Sequence, residues 1–168
     1  DFQLDADLVF LNHGSFGAVP QVVQQAYEGL QREMERNPVA WLQRRAPELM
    51  AVARANLGAF VGAAADDVVF FPNPTTAVNM VARSLRLQPG DEILISWLEH
   101  HANIVPWQMV CEQTGAVLKV IPITRRGEVD FEAFVSLLSD RTRLLALSHV
   151  SNALGTINSV QTIVAAAK

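Results

Sequence analysis

The chain has 168 residues, half of them hydrophobic, which is enough for one compact domain with a buried core. A net charge of −4, with arginines scattered among acids, leaves no basic stripe for nucleic acid. Charges interrupt every apolar run before the roughly 20 residues a membrane span needs, and Asp1-Phe2-Gln3 does not open a secretory leader, so a cytoplasmic protein without a membrane partner is expected.

The first 67 residues read as helical. Val23, Ala26, Tyr27, Leu30 and Met34 form one apolar stripe at helical spacing, and Leu49, Val52, Ala53, Leu57 and Phe60 form a second. Asn37-Pro38 is expected to break the chain between them, because the residue before proline is pushed out of the helical region. Gly62–Asp67 reads as a loop. The expected organisation is a helical segment, 1–67, leading into a second part, 68–168, of different character.

In that second part, Val68–Phe71, Ile93–Ser96, Val117–Ile123 and Leu144–Val150 read as strands. They are continuously apolar instead of alternating, which is what a parallel sheet covered on both faces requires. Between them Val78, Val81, Ala82 and Leu85, and again Phe131, Phe134, Val135 and Leu138, recur at i, i+3, i+4, i+7, so the crossovers are helices. The series is βαβ, and the fold class is α/β, mainly parallel with helices on both faces.

Three polar clusters come directly after strands. Phe71-Pro72-Asn73-Pro74-Thr75-Thr76 places Asn73 as N-cap and Pro74 as first helical residue. The amides of Thr75, Thr76 and Ala77 are then free, with two hydroxyls beside them, as a phosphate site at a helix start has; a plain cap is the alternative. Ser96-Trp97-Leu98-Glu99-His100-His101-Ala102-Asn103 comes after the next strand, and its imidazoles suit stacking on a planar ring or an ordinary solvated loop. The third cluster is Ser148-His149-Val150-Ser151-Asn152. Polar groups at three strand ends converge on the carboxyl edge of an open sheet, where α/β proteins bind ligands.

The remaining reactive residues are few. Cys111 has no partner for a disulfide and no ligands at metal spacing, and it reads as a buried helical residue in Val105–Gln113. Neither it nor the adjacent histidines suggests a metal site. Only Lys119, within an apolar run, and Lys168 could serve as an amine nucleophile. No glycine-rich nucleotide fingerprint is present.

Glu99-His100-His101-Ala102-Asn103-Ile104-Val105-Pro106-Trp107-Gln108 and Thr142–Thr156 closely resemble the group II cysteine desulfurases and selenocysteine lyases. These are enzymes of the pyridoxal-phosphate (PLP) dependent class V aminotransferase superfamily. Leu11-Asn12-His13-Gly14-Ser15-Phe16-Gly17, with Asn37–Leu42, resembles the isopenicillin N epimerase-like branch instead. The resemblance implies the N-terminal half of a fold type I large domain. It also implies PLP as cofactor, a small amino acid as substrate, and a homodimer or a complementing C-terminal half as partner. Carried over residue by residue, it makes Thr75 and Thr76 phosphate binders and His100 the catalytic group stacked on the pyridine ring. Asn152 would sit beside the phenolic oxygen and the substrate, with Asn12 and His13 near the substrate.

The family's pyridine-nitrogen Asp and Schiff-base Lys are expected beyond position 168, and neither Lys119 nor Lys168 takes the lysine's place. The catalytic cysteine of a desulfurase would also come later, so Cys111 is not that nucleophile. Three readings are open. One is the N-terminal part of a cysteine desulfurase or selenocysteine lyase, inactive alone without its lysine. Another is an epimerase-like or C–S lyase parent, and the third a non-catalytic α/β scaffold or engineered half-domain.

Overall fold

The computed structural model describes residues 2–168, the side chain of Ser15 excepted. The chain forms two compact units, one ending at Phe70 and one spanning Phe71–Lys168.

In the first unit, α1 (His13–Phe16) precedes α2 (Gln21–Arg36). Asn37 breaks the chain as expected, with extended backbone at φ −157°, and its Oδ1 accepts from Ala40 N at 3.1 Å to cap α3 (Pro38–Ala40). The sequence periodicity missed the next element: α3 runs through a π turn, Trp41–Arg45, directly into α4 (Ala46–Val61), so the second helical stretch begins earlier than its apolar stripe. Gly62, in the left-handed region at φ 74°, closes α4, and Ala63 N donates back to Gly58 O at 2.9 Å. Arg54 then holds the adjoining turn through Ala65 O at 2.9 Å and Asp66 Oδ1 at 3.2 Å.

The second unit opens with α5 (Pro74–Ser84), then alternates β1 (Glu92–Ser96), α6 (Val105–Thr114), β2 (Val117–Ile121), α7 (Phe131–Leu137), β3 (Thr142–Ala146) and α8 (Val160–Ala167). Among the described residues the sheet has three strands in the order β2-β1-β3, both pairings parallel. The α/β reading holds, and β1 shows why its sequence is continuously apolar. Ile93 and Ile95 pack with Ala82, Leu87, Trp107, Val110 and Cys111 on one face, and Leu94 packs with Ile121, Val129, Phe134 and Ile163 on the other. A strand buried on both faces leaves no polar phase.

The expectation of a strand at Val68–Phe71 is corrected. The segment joins no ladder among the described residues, and Val69 is 69% exposed. An apolar β-branched run becomes a strand only when a neighbour takes its hydrogen bonds, and propensity alone does not supply one. β1 covers its apolar run and adds Glu92, whereas β2 and β3 stop short of theirs, at Ile121 and Ala146. Ile123 makes an isolated antiparallel bridge to Val129, and Val150 another to Ile157, beyond the ends of β2 and β3.

Candidate active site at the carboxyl edge

Because β1 and β3 are adjacent and parallel, their carboxyl ends open on the same edge. β1 delivers Trp97 to His100 and a short 3₁₀ turn, His101–Asn103, before α6 begins. His100 accepts through Nδ1 from Ala102 N at 3.1 Å, capping that turn. Its ring meets that of His101 edge-on, at 5.7 Å between centroids. With Nδ1 engaged, Nε2 carries the ring proton and has no hydrogen-bond partner among the described residues.

β3 delivers Ser148 and the loop that holds Asn152. Buried Ser151 organises the loop: its N donates to Thr156 O at 2.9 Å, and its Oγ accepts from Ala153 N and Leu154 N. Asn152 is left exposed on the turn. Asn158, also buried, closes the loop's base by donating to Ser148 O at 2.8 Å and accepting from Val129 N at 2.9 Å.

Thr75 and Thr76 open α5, which packs against the 3₁₀ turn and α6. Asn73 caps it as expected, accepting from Thr76 N at 2.8 Å and from Thr76 Oγ1 at 3.1 Å. This corrects the count of free donors. Thr76 N is taken by the cap and Ala77 N by Asn73 O, so among the described residues the amide and hydroxyl of Thr75 are the donors left at this helix start.

The residue that joins the loops is one the motif reading passed over. Glu99 is 9% exposed, and its carboxylate accepts from Ser96 Oγ, Asn103 Nδ2, Ser148 N and Ser148 Oγ at 2.6–2.9 Å. Glu99, Asn103 and Trp107 stand four residues apart, and Trp107 Nε1 donates to Asn103 Oδ1 at 2.9 Å. That polar ladder was visible as a spacing; its link to Ser148 was not.

Asn12 and His13 belong to the first unit. Asn12 precedes α1, where its carbonyl accepts from Phe16 N at 3.1 Å, and the His13 ring packs against Phe2 at 5.2 Å and Phe10 at 4.8 Å. Neither lysine reaches the carboxyl edge of β1 and β3. Lys119 Nζ is bound to Glu92 Oε2 at 2.7 Å, at the first residue of β1, and Lys168 comes after α8. Cys111 is buried in α6, and burial pushes its thiol up, away from the thiolate a nucleophile needs. Among the described residues no group of three or more His, Cys, Asp or Glu stands ready for a metal, and no helix is long and apolar enough to cross a membrane.

A parallel sheet covered on both faces, with the polar loops after β1 and β3 on one carboxyl edge, defines an α/β protein. Residues 9–168 match the family model of class V aminotransferases, and the chain belongs to that family, with the fold type I architecture of its members. It is similar to a probable cysteine desulfurase of Mycolicibacterium paratuberculosis, 50% identical over 127 residues that cover 73% of this chain and 18% of that protein. A cysteine desulfurase of Pectobacterium carotovorum is 38% identical over 168 residues, 96% of this chain and 41% of the relative. Among solved structures, the Escherichia coli cysteine desulfurase CsdA superposes with a TM-score of 0.76 at 31% identity, over 93% of this chain and 42% of that one. The chain thus spans less than half the length of these relatives.

Proposed function

We propose that these residues form the phosphate and ring side of a PLP site in an enzyme that acts on a sulfur-containing amino acid, as a cysteine desulfurase does. The observation that carries the reading is the pairing of an open helix start at Thr75 with His100 and Asn152 on two Glu99-linked loops. That donor set suits a phosphorylated planar group. An unengaged amide and hydroxyl at the positive end of α5 would take the phosphate, an imidazole face would take the ring, and a carboxamide would take an oxygen at its rim.

When bound, PLP supplies an electron sink for negative charge at the substrate's α-carbon. Thr75, with Thr76 beside it, would hold the phosphate end. The His100 ring stays oriented by its Nδ1 bond, and its free Nε2 side is suited to holding and passing a proton. Asn152, exposed on its turn, would donate to an anionic oxygen at the ring's edge. The lysine and the ring-nitrogen carboxylate would come from the portion of the relatives that lies outside the match. On this reading 1–67 leads into the large domain begun by 68–168, and the enzyme works in the cytoplasm as a homodimer. The Leu11–Gly17 resemblance favours a second chemistry on the same cofactor, epimerisation or C–S cleavage.

Titration of the chain with PLP, monitored by NMR of backbone amides and histidine rings, tests the cofactor site. Saturable shifts at Thr75, Thr76 and His100 that inorganic phosphate competes away are expected. Shifts confined to surface lysines would sink the reading.

A further inference from the structure

We propose that Glu99 is the positioning residue of this site: its carboxylate sets where the His100 ring and the Ser148–Asn152 loop stand relative to each other. The inference rests on the reading of His100 and Asn152 as the cofactor-facing groups, and goes beyond it by naming what holds them.

The two loops are far apart in sequence, with Glu99 and Ser148 separated by 49 positions. Among the described residues, the side-chain hydrogen bonds that join 97–104 to 147–158 both end on Glu99. Its Oε1 accepts from Ser96 Oγ at 2.6 Å and Ser148 N at 2.9 Å, and its Oε2 from Asn103 Nδ2 at 2.8 Å and Ser148 Oγ at 2.7 Å. A local turn would need only Ser96 and Asn103. The two bonds to Ser148 serve the other loop.

The chemistry demands an acceptor on both oxygens. Ser148 N is a backbone donor and cannot change role. Asn103 is fixed as well: Trp107 Nε1 is donor-only and 3% exposed as a residue, and it claims Asn103 Oδ1, which turns Nδ2 toward Glu99. Each carboxylate oxygen therefore faces one donor that cannot be reversed. A carboxamide of the same shape would set its NH₂ against one of them, at a buried side chain whose partners are themselves half-buried. The residue next to Glu99 is His100, so strain taken up at position 99 moves that ring first.

The test uses the chain without cofactor, so its failure is distinguishable from failure of the PLP titration. Long-range ¹H–¹⁵N correlation of the His100 ring reads whether Nδ1 still accepts, and the Ser148 amide reads the other loop. Glu99→Gln is expected to abolish the acceptor pattern at His100 Nδ1 and to shift Ser148 N–H. Asn103→Asp, which sets two carboxylates face to face, is expected to do likewise. The double variant Glu99→Gln with Asn103→Asp exchanges amide and carboxylate across one hydrogen bond. The carboxylate at position 103 would accept from both Trp107 and the amide at position 99, and His100 and Ser148 are expected to return to their original signals. A merely space-filling role would leave His100 unmoved in a folded Glu99→Gln protein. That result, or a double variant displaced as far as the single ones, overturns the proposal. Should Glu99→Gln fail to fold, Ser96→Ala removes one rotatable donor, and smaller shifts of the same resonances are expected; unchanged resonances overturn it.

Discussion

Lys119 and Glu92 meet across β2 and β1, Nζ 2.7 Å from Oε2, and the same ammonium donates to Leu137 O at 3.1 Å. The lysine is thereby committed near the amino end of β1, while His100 lies past its carboxyl end. A protonated amine held by a carboxylate is a poor nucleophile. Incubation with PLP, borohydride reduction and peptide mapping should leave Lys119 unmodified. A stoichiometric adduct there would contradict both the geometry and the assignment of the covalent anchor to another part of the enzyme; slow labelling of exposed amines would not.

The same pair sets an acid limit. Hydrogen bonds from Lys119 and then Ser139 hold the Glu92 carboxyl below its ordinary value of 4.5, with Arg141 adding to the field. A carboxyl whose folded value is lowered contributes stability that is fully present above its unfolded value and is lost as pH falls through the folded one. Urea midpoints should hold above about pH 4.5 and decline below it. Glu92→Gln should be less stable at neutral pH and show a flatter decline in acid.

How much of this was legible in the sequence depends on how local each cause was. β1 was readable because burial on both faces erases the alternation, and α5 because Asn73-Pro74 specifies its own start. Val68–Phe71 was misread because a strand is defined by a neighbour that composition does not reveal. Glu99 was quoted within a motif but given no role, since half of its partners lie on Ser148, and contacts of that separation leave no periodic trace. Free amides were overcounted at α5 because Asn73 consumes two of the three, Thr76 N through its side chain and Ala77 N through its carbonyl.

Asn73 accepts from both Thr76 N and Thr76 Oγ1, so its loss should be felt at the phosphate end of the site. Asn73→Ala is expected to cost about 1 kcal/mol, as removal of a helix cap usually does. Thermal unfolding gives the cost. Hydrogen exchange should show Thr76 N–H protected in the parent and exposed in the variant.

His100 carries the proton-transfer part of the proposed function. In a polypeptide of the relatives' length containing these residues, His100→Ala should lower turnover of cysteine by about 10²-fold or more, the range for a general acid–base group. Steady-state formation of alanine, with an added dithiol to reduce the sulfane sulfur to sulfide, measures it. A variant that keeps parental kcat would remove His100 from the mechanism and leave the ring-stacking role alone.

The last expectation concerns the sheet's edges. With the order β2-β1-β3, both outer strands carry backbone groups that no strand among the described residues pairs, and on β2 Val117 and Val120 stand 46% and 43% exposed. Unpaired strand edges with apolar side chains template further pairing. Natural sheets blunt such edges with charge. On β3 the exposed position is Arg143, but its guanidinium is tied back to Asp91 at 2.9 Å and to Asp140 O at 3.2 Å. The 168-residue chain should therefore sediment as more than a monomer at low micromolar concentration, through self-pairing or with an added C-terminal half of a class V relative. Amides of β1, paired on both sides, should exchange most slowly in every state, and those of β3 should gain protection when the added half binds. A stable monomer that unfolds cooperatively and ignores the other half would mean that the sheet needs no further strand.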